Sequence, residues 1–197
     1  MNNEKVLNGI VSELTLKFQN KDSSYFFTRL GKAYHKIEKL FFSLYEKNDK
    51  NEFYFKELLL YLGDLYSERS NDLKKIDILR EEDKNWFMSP NWVGTMLYVD
   101  RYNKNLKGFI KKIDYLEELG VNYVHLMPLL SMPKGENDGG YAVSDYRSVD
   151  KKFGSMEDIE NISEIFRSKN MLLELDLVLN HTSNEHEWAK KALKGER

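Results

Sequence analysis

The sequence predicts a protein of the α/β fold class, in which an all-helical N-terminal domain precedes a series of parallel βα units. Three observations predict this arrangement. Up to about residue 88, apolar residues recur with the spacing of helices. From residue 89 onward, short apolar runs alternate with amphipathic segments. The resulting order of strand, helix, strand, helix, strand is typical of parallel βαβ units with right-handed crossovers.

The helical N-terminal domain is predicted over residues 1–88. Four apolar residues mark the inner face of its first helix: Val6, Ile10, Leu14 and Phe18. Similar stripes mark a second and a third helix, carried by Leu30, Ile37, Leu40, Phe41 and Leu44, and by Phe53, Leu58, Leu62 and Leu65. A short helix over residues 73–83 follows. The stripes predict a small bundle whose helices pack on one another.

The second part, residues 89–197, is predicted to hold three strands and two helices. The first helix, over 106–119, is predicted to end at Gly120, which provides its C-cap. The second starts at Met156, because Ser155 and Asp158 have the spacing of a capping box. Residues 130–153 are predicted to form a long loop. The strands are predicted at 93–100, 121–129 and 171–179.

The predicted number of strands is too small for a closed barrel. A complete (β/α)₈ barrel takes about 250 residues, and residues 89–197 have room for three βα units. Three parallel strands alone expose two edges, which natural proteins avoid. An open doubly wound sheet, which can use few strands, stays an alternative to a barrel, and in either case residues 89–197 are expected to be the front part of something longer.

The composition is that of a soluble globular protein with a hydrophobic core: 41% hydrophobic, 13% aromatic and 31% charged residues, with net charge -2. This balance predicts no nucleic-acid partner and no anionic membrane partner. There are no cysteines, which excludes disulfides and cysteine catalysis. No apolar run approaches the roughly 20 residues that span a bilayer, and no signal-peptide pattern is present, so a cytoplasmic location is expected. The oligomeric state stays open.

The first candidate site lies at the end of the third predicted strand, in LLELDLVLNHTSNEHEW at residues 172–188. By alternation, residues 174, 176, 178 and 180 face one side, and the leucines at 173, 175, 177 and 179 face the helices. In a barrel the first set points inward, with Asp176 and Asn180 near the mouth where ligands bind. A site role is favoured for Asp176. For Asn180, holding the following loop is an equal alternative.

The second candidate site is the turn DGGYAVSDYR at residues 138–147. Adjacent glycines let the backbone turn tightly and place Asp138 and Tyr141 on either side. A carboxylate beside an aromatic ring suits a sugar, because the acid accepts hydroxyl hydrogen bonds and the ring stacks on the C–H face. The alternative is an ordinary turn, with Tyr141 packed on the rim.

The histidines do not have the spacing of a metal site. His181 and His186 are five residues apart, which differs from H-E-x-x-H, so metal hydrolysis is not favoured. No metal and no cofactor are predicted. His125, on the second predicted strand, either lines the mouth or is a hydrogen-bonded core histidine, and the core role is the more common one.

Several of these segments together resemble one enzyme family. DLVLNH at residues 176–181 resembles the first conserved region of the α-amylase family of glycoside hydrolases, and the turn at 138–147 occupies the matching place between strand two and helix two. Four segments resemble amylosucrase and its sucrose-cleaving relatives in sequence: WFMSP, YVDR, HLMPL and NHTSNEHEW. The helical N-terminal part is similar to that of amylosucrase, whose barrel follows an all-helical domain. The resemblance therefore implies that residues 89–197 are the N-terminal part of an incomplete (β/α)₈ TIM barrel and hold its first three βα units.

The resemblance implies a role for each matching residue. Asp138 is similar to the carboxylate at the bottom of the glucose pocket, and Tyr141 to its stacking platform. His181 is similar to the histidine that hydrogen-bonds the glucosyl 6-hydroxyl and strengthens this bond as the ring flattens toward an oxocarbenium ion. Asp176 is similar to the acid that orients polar groups around the nucleophile. Asn180 matches a residue that helps bind calcium in many amylases, but not in amylosucrase-like members.

Two departures from the family pattern limit what this chain does. Family members usually have an apolar residue at the place of Glu174. Retaining glycoside chemistry also needs a nucleophile and an acid about 5–5.5 Å apart, which the family takes from strands four and five, with a His-Asp pair from strand seven. None of that sequence is present.

The resemblance therefore implies the N-terminal portion of a retaining glucosyltransferase or glycoside hydrolase acting on sucrose or α-glucans. This portion supplies part of the glucose subsite and is expected to be inactive alone. Three alternatives stay open. They are a non-catalytic amylase-like or helical interaction module, a sucrose hydrolase or α-glucosidase of the same family, and, least favoured, a metal hydrolase built on His125, His181 and His186.

Overall fold

A computed structural model describes residues 3–18 and 23–196 of the chain. Its contacts divide the chain into two compact units, one up to Lys84 and one from Asn85 onward. The predicted domain ranges, 1–88 and 89–197, stay a prediction. Within the described residues, no helix is both long and apolar enough to cross a membrane. The cytoplasmic location also stays a prediction.

The first unit is built from helices, as its apolar stripes predict. Ile10, Leu14 and Phe18 are buried, whereas the side chain of Val6 lies outside the described residues. Four residues of the predicted second and third stripes are exposed instead of facing the core: Leu40 54%, Leu44 76%, Phe53 57% and Leu65 45%. These two stripes are therefore only partly correct. The helices are α1 (Asn3–Phe18), α2 (Ser24–Tyr45), α3 (Asn51–Glu68) and α4 (Asn71–Glu82).

The second unit has a three-stranded parallel sheet in the order β1-β2-β5 and a separate antiparallel pair, β3-β4. The strands are β1 (Gly94–Leu97), β2 (Tyr123–Leu126), β3 (Leu130–Ser131), β4 (Asp145–Val149) and β5 (Leu172–Leu175). The helices are α5 (Val99–Asn103), α6 (Leu106–Ile110), α7 (Ile113–Glu118), α8 (Met156–Ser168) and α9 (Glu187–Leu193). This arrangement is the partial (β/α)₈ barrel that the sequence predicts.

The two faces of the parallel sheet differ in chemistry. Val124 and Leu126 of β2 are almost fully buried and pack in one cluster with Phe109, Ile113 and Phe166 from the helices. On the opposite face, Tyr123 and His125 alternate with these residues, and His125 is in register with Glu174 of β5. The face of the sheet that would line a barrel interior is therefore polar.

Helix α8 begins as its sequence predicts. The Ser155 side chain accepts a hydrogen bond from the Asp158 N–H at 3.2 Å, and the Asp158 carboxylate accepts one from the Ser155 N–H at 2.9 Å. This reciprocal capping box is confirmed. It fixes where the helix starts after the turn at Gly154, and it thereby sets the entry into β5.

Two predicted elements differ from the structure. The helix predicted over 106–119 is two short helices, because the amides of Lys111 and Lys112 bond to the carbonyls of Gly108 and Phe109 three residues back, which tightens the chain there. The loop predicted over 130–153 contains β3, β4 and a 3₁₀ turn at Asp138–Gly140. Short runs of two to five paired residues are too brief to give a periodic signal.

The leucines after β5 are the clearest error in the predicted alternation. Leu173 packs against the core, but Leu177 and Leu179 are 66% and 78% exposed, and Val178 is buried instead. The strand ends at Leu175, so the period of two residues does not continue beyond it. The prediction that all four leucines pack under helices is therefore wrong.

Candidate functional site

The candidate site lies at the carboxyl ends of the three parallel strands. Tyr98 directly follows β1, His125 is near the end of β2, and Asp176 directly follows β5. In parallel α/β proteins this edge collects ligand-binding side chains, because the loops after the strands meet there. The prediction placed Asp176 at this edge, and the structure has it there.

The turn that carries Asp138 is held in a conformation that only small residues adopt easily. Gly139 and Gly140 have φ values of 67° and 102°, and Asp138 has 52°. A Cβ atom at Gly140 would lie 3.0 Å from Cβ of Pro128 and 3.2 Å from Cε of Met132, so the turn packs directly on the chain after β2. The Asn137 side chain also accepts a hydrogen bond from the Gly140 N–H at 3.1 Å. Asp138 is thus exposed on a rigid turn.

Tyr141 connects this turn to the end of β5. Its hydroxyl donates a hydrogen bond to Oδ2 of Asp176 at 3.3 Å. Burial of the phenol and the nearby negative charge of Asp176 raise the pKa of Tyr141 above its usual value. The hydroxyl therefore stays protonated, and remains a donor, throughout the neutral pH range.

His125 approaches the same carboxylate oxygen. Its Nε2 atom lies 3.2 Å from Oδ2 of Asp176, and both side chains are 21% exposed. The Nε2 atom is buried, and within the described part of the chain it has no well-aligned hydrogen bond, so the approach to Asp176 is close but out of line. Two polar groups from different segments, Tyr141 and His125, thus converge on one oxygen.

The loop after β5 is attached to the segment that follows the turn. The Tyr146 hydroxyl donates to the carbonyl of His181 at 2.9 Å, and the Ser183 N–H donates to the carbonyl of Val143 at 2.9 Å. The side-chain amide of Asn180 donates to Nδ1 of His181 at 2.8 Å. An imidazole that accepts at Nδ1 carries its proton at Nε2. The exposed ring of His181 therefore presents a donor to solvent.

His186, by contrast, has a structural role. It is 6% exposed, and its Nδ1 accepts a hydrogen bond from the Trp188 N–H at 3.1 Å, which caps the start of α9. Its ring lies 5.5 Å from that of Tyr146 and 4.8 Å from that of Trp188. Across the described residues, no group of three or more potential ligands is placed to hold a metal ion.

Glu174, which departs from the family pattern, has a partner in the structure. The hydroxyl of Tyr123 donates a hydrogen bond to its carboxylate. This hydrogen bond is the largest cause of a raised pKa of Tyr123. The extra carboxylate on the inward face is thereby stabilised by a side chain of the neighbouring strand β2, and it lies beside His125 in the sheet register.

The structure brings together most of the predicted site residues and adds two others, Tyr98 and His125, to the candidate site. Asp138 and Asp176 both act electrostatically on Tyr141, and the chain around His181 is bound to the same segment. The sequence reasoning missed Tyr98, whose hydroxyl lies 3.3 Å from the Cβ position of Gly139. It also favoured a core role for His125, although alternation with the buried Val124 already placed His125 on the other face. The roles assigned to the four predicted residues stay predictions.

A parallel α/β unit with carboxylates and aromatic side chains at its strand ends belongs to the class of α/β-barrel proteins that bind ligands at this edge. The family model described as the α-amylase catalytic domain matches residues 65–197, which is more than half of the chain. The chain therefore belongs to the α-amylase family.

Its curated relatives include several glucosidases. The chain is 44% identical over 84 residues to an oligo-1,6-glucosidase of Bacillus cereus, which covers 43% of this chain and 15% of that protein. It is 42% identical over 88 residues to an α-glucosidase of Schizosaccharomyces pombe, covering 45% of this chain and 15% of that protein. The chain thus spans only 15% of the length of these two relatives.

Solved structures of similar proteins match about half of the chain. Trehalose-6-phosphate hydrolase of Bacillus licheniformis is 32% identical, with a TM-score of 0.47, over 52% of this chain and 19% of that one. A MutB mutant in complex with the substrate sucrose is 34% identical, with a TM-score of 0.48, over 53% of this chain and 20% of that one.

Proposed function

We propose that the chain is the N-terminal portion of an amylosucrase-like glucosyltransferase or glycoside hydrolase that acts on sucrose or α-glucans with retention. In this proposal, the turn at Asp138 and the loop at His181 form one wall of the glucose-binding subsite. Membership of the α-amylase family supports it. The observation that carries it is the hydrogen bond between Tyr141 and Asp176, since it joins the predicted platform to the predicted acid at the strand ends.

Each residue of this wall has a chemistry that suits a neutral hexose. The exposed carboxylate of Asp138 accepts hydrogen bonds from sugar hydroxyls, while the ring of Tyr141 offers an apolar surface to the C–H groups. His181 donates from Nε2 to the 6-hydroxyl. Asp176, already bonded to Tyr141, orients the polar groups at the mouth.

These contacts act mainly on the transition state. As the glucosyl ring flattens toward an oxocarbenium ion, the hydrogen bonds that Asp138 accepts and His181 donates shorten, and the carboxylate of Asp138 offsets the developing positive charge. The bond itself is broken by a nucleophile and an acid/base carboxylate that the family takes from later strands. We therefore propose that the 197-residue chain binds sugar but does not turn over sucrose.

The test is a titration of the chain with sucrose and with methyl α-glucoside, followed by NMR, alongside an assay for released glucose and fructose. Asp138→Asn should weaken binding, whereas Glu136→Gln, an exposed carboxylate two residues away, should leave it unchanged. Absence of binding by the unmodified chain, or equal effects of the two substitutions, would contradict the proposed site. Release of glucose or fructose by the chain would contradict its inactivity.

A hydrolase of the same family is the second candidate. It is favoured by the relatives named as glucosidases, since a hydrolase passes the glucosyl unit to water instead of a sugar acceptor. Product analysis of the full-length protein with sucrose separates the two: glucosyl chains formed alongside free fructose support the transferase, and equal amounts of free glucose and fructose support the hydrolase.

A further inference from the structure

We infer that His125 is a positioning residue of this site, which acts through Asp176 to hold the hydroxyl of Tyr141 in place. The inference rests on the proposed function of the same site. It assigns to His125 a part in sugar recognition in place of the core role that its residue type favours.

The geometry around a single oxygen atom carries this inference. Oδ2 of Asp176 lies 3.2 Å from Nε2 of His125 and 3.3 Å from the hydroxyl of Tyr141. One neighbour comes from β2 and the other from the turn after it, so the carboxylate is held from two directions. Its orientation, and hence the direction in which it pulls the tyrosine hydroxyl, depends on both.

The negative charge of the Asp176 carboxylate requires a partner such as His125. A carboxylate that is only 21% exposed needs a cation or several donors to offset its lost hydration. Besides Asp176 itself, the groups whose charge acts on Tyr141 are Tyr98 after β1 and Asp138 on the turn, and Glu174 on the same face of the sheet already accepts from Tyr123. None of these brings a positive charge, whereas an imidazole can donate a hydrogen bond in its neutral form and carries a positive charge when protonated.

The packing argues against a core role. His125 alternates with Val124 and Leu126, which are 0% and 1% exposed on the helix-covered face. Its lateral neighbours in the sheet are Met96, which is 64% exposed, and Glu174, which is also exposed. The imidazole therefore lies on the open face of the sheet, where its buried Nε2 atom points to the site.

The test compares three variants of the 197-residue chain: His125→Leu, His125→Gln and, as a control, Tyr123→Phe. Tyr123 lies on the same strand and face, but its partner is Glu174. Two quantities are measured: the NMR signals of the Tyr141 ring in the free chain, assigned with Tyr141→Phe, and the affinity for sucrose.

His125→Leu should displace the Tyr141 ring signals and weaken sucrose binding about tenfold, because the partly buried Asp176 carboxylate loses one of its two polar neighbours. His125→Gln, which keeps a donor, should preserve the ring signals and most of the affinity. Tyr123→Phe should leave both unchanged. Unchanged ring signals in His125→Leu, or equal displacement in His125→Gln, would overturn the inference.

The ring signals are read in the free chain, so they decide the inference even if no sugar binds. Absence of sucrose binding by the unmodified chain contradicts the proposed function alone. If circular dichroism shows that His125→Leu does not fold, Asp176→Asn replaces it. That variant should displace the same Tyr141 signals, and unchanged signals would contradict the role of Asp176 as the intermediary.

Discussion

The hydroxyl of Tyr141 donates a hydrogen bond to Oδ2 of Asp176 at 3.3 Å, across 35 residues of sequence. This contact joins the turn between β2 and α8 to the end of β5. The contact brings two separate sequence motifs together in one surface at the strand ends, and the proposed glucose-binding wall depends on it.

Two substitutions of Tyr141 test this contact, because they separate the effect of the ring from that of the hydroxyl. Tyr141→Phe keeps the stacking surface but removes the hydrogen bond to a charged carboxylate that positions the ring, and it should weaken sucrose binding by about 1.5 kcal/mol. Tyr141→Ala removes the platform as well and should cost clearly more. Calorimetric titration measures both, with Tyr115→Ala on α7 as the control. Equal affinities of the Phe and Ala variants would show that the ring does not stack on the sugar.

The backbone of the turn gives a prediction about stability. Gly140 has φ of 102°, and an added Cβ would meet Pro128 at 3.0 Å, so Gly140→Ala should destabilise the second unit by about 1–3 kcal/mol. Gly135→Ala is the matched control, because nothing lies within 4 Å of its Cβ position. Urea denaturation measures the free energy of unfolding. A Gly140→Ala variant as stable as Gly135→Ala would show that the turn relaxes without cost.

The capping box of α8 gives a second stability prediction. Ser155→Ala removes the oxygen that accepts from the Asp158 N–H at 3.2 Å and should cost about 1 kcal/mol. Ser168→Ala, at the exposed end of the same helix, should change stability by less than about 0.5 kcal/mol. Chemical denaturation of the two variants provides the measurement. A larger loss in Ser168→Ala than in Ser155→Ala would contradict the importance of the cap.

Because Tyr34 in the first unit is buried, we expect the folded chain to lose stability at high pH. Its ring is 3% exposed and its hydroxyl donates to Glu38 at 3.2 Å; burial, followed by the charge of Glu38, raises its pKa to about 12. An unfolded tyrosine titrates near pH 10, at about its ordinary pKa. The folded state thus holds this proton more tightly, and the stabilisation is complete below pH 10 and is lost as pH rises toward 12.

Tyr34→Phe removes the ionisable hydroxyl and, with it, this pH-dependent contribution to the free energy of unfolding. The advantage of the unmodified chain over the variant in free energy of unfolding should fall by about 1.4 kcal/mol per pH unit above pH 10. Denaturant unfolding of helical circular dichroism at several alkaline pH values measures it. An advantage that stays constant through this range would show that the proton of Tyr34 is held no more tightly in the folded chain.

The sequence predicted those features that depend on local chemistry or on long periodic patterns. The three parallel strands, the capping box at Ser155 and the position of Asp176 near the carboxyl end of the third strand are all in the structure. Each follows from a pattern within a few neighbouring residues, such as a Ser-x-x-Asp spacing or an apolar run that turns polar.

The features that the sequence did not predict depend on contacts between distant residues. The pairing of β3 with β4 involves few residues, has an irregular register and joins segments on either side of the turn at Gly139 and Gly140. The exposure of Leu177 and Leu179 follows from where β5 stops pairing, which alternation alone does not reveal. The approach of His125 to Asp176 requires the register between β2 and β5.

The most direct test of the proposed glucose-binding wall is to map which backbone amides shift when sucrose is added to the labelled chain in an NMR titration. We expect the largest shifts at residues 138–141, at Asp176 and around His181, and we expect all of them to follow one binding curve with a single affinity. Shifts confined to other surfaces, such as the helical unit up to Lys84, would contradict this expectation.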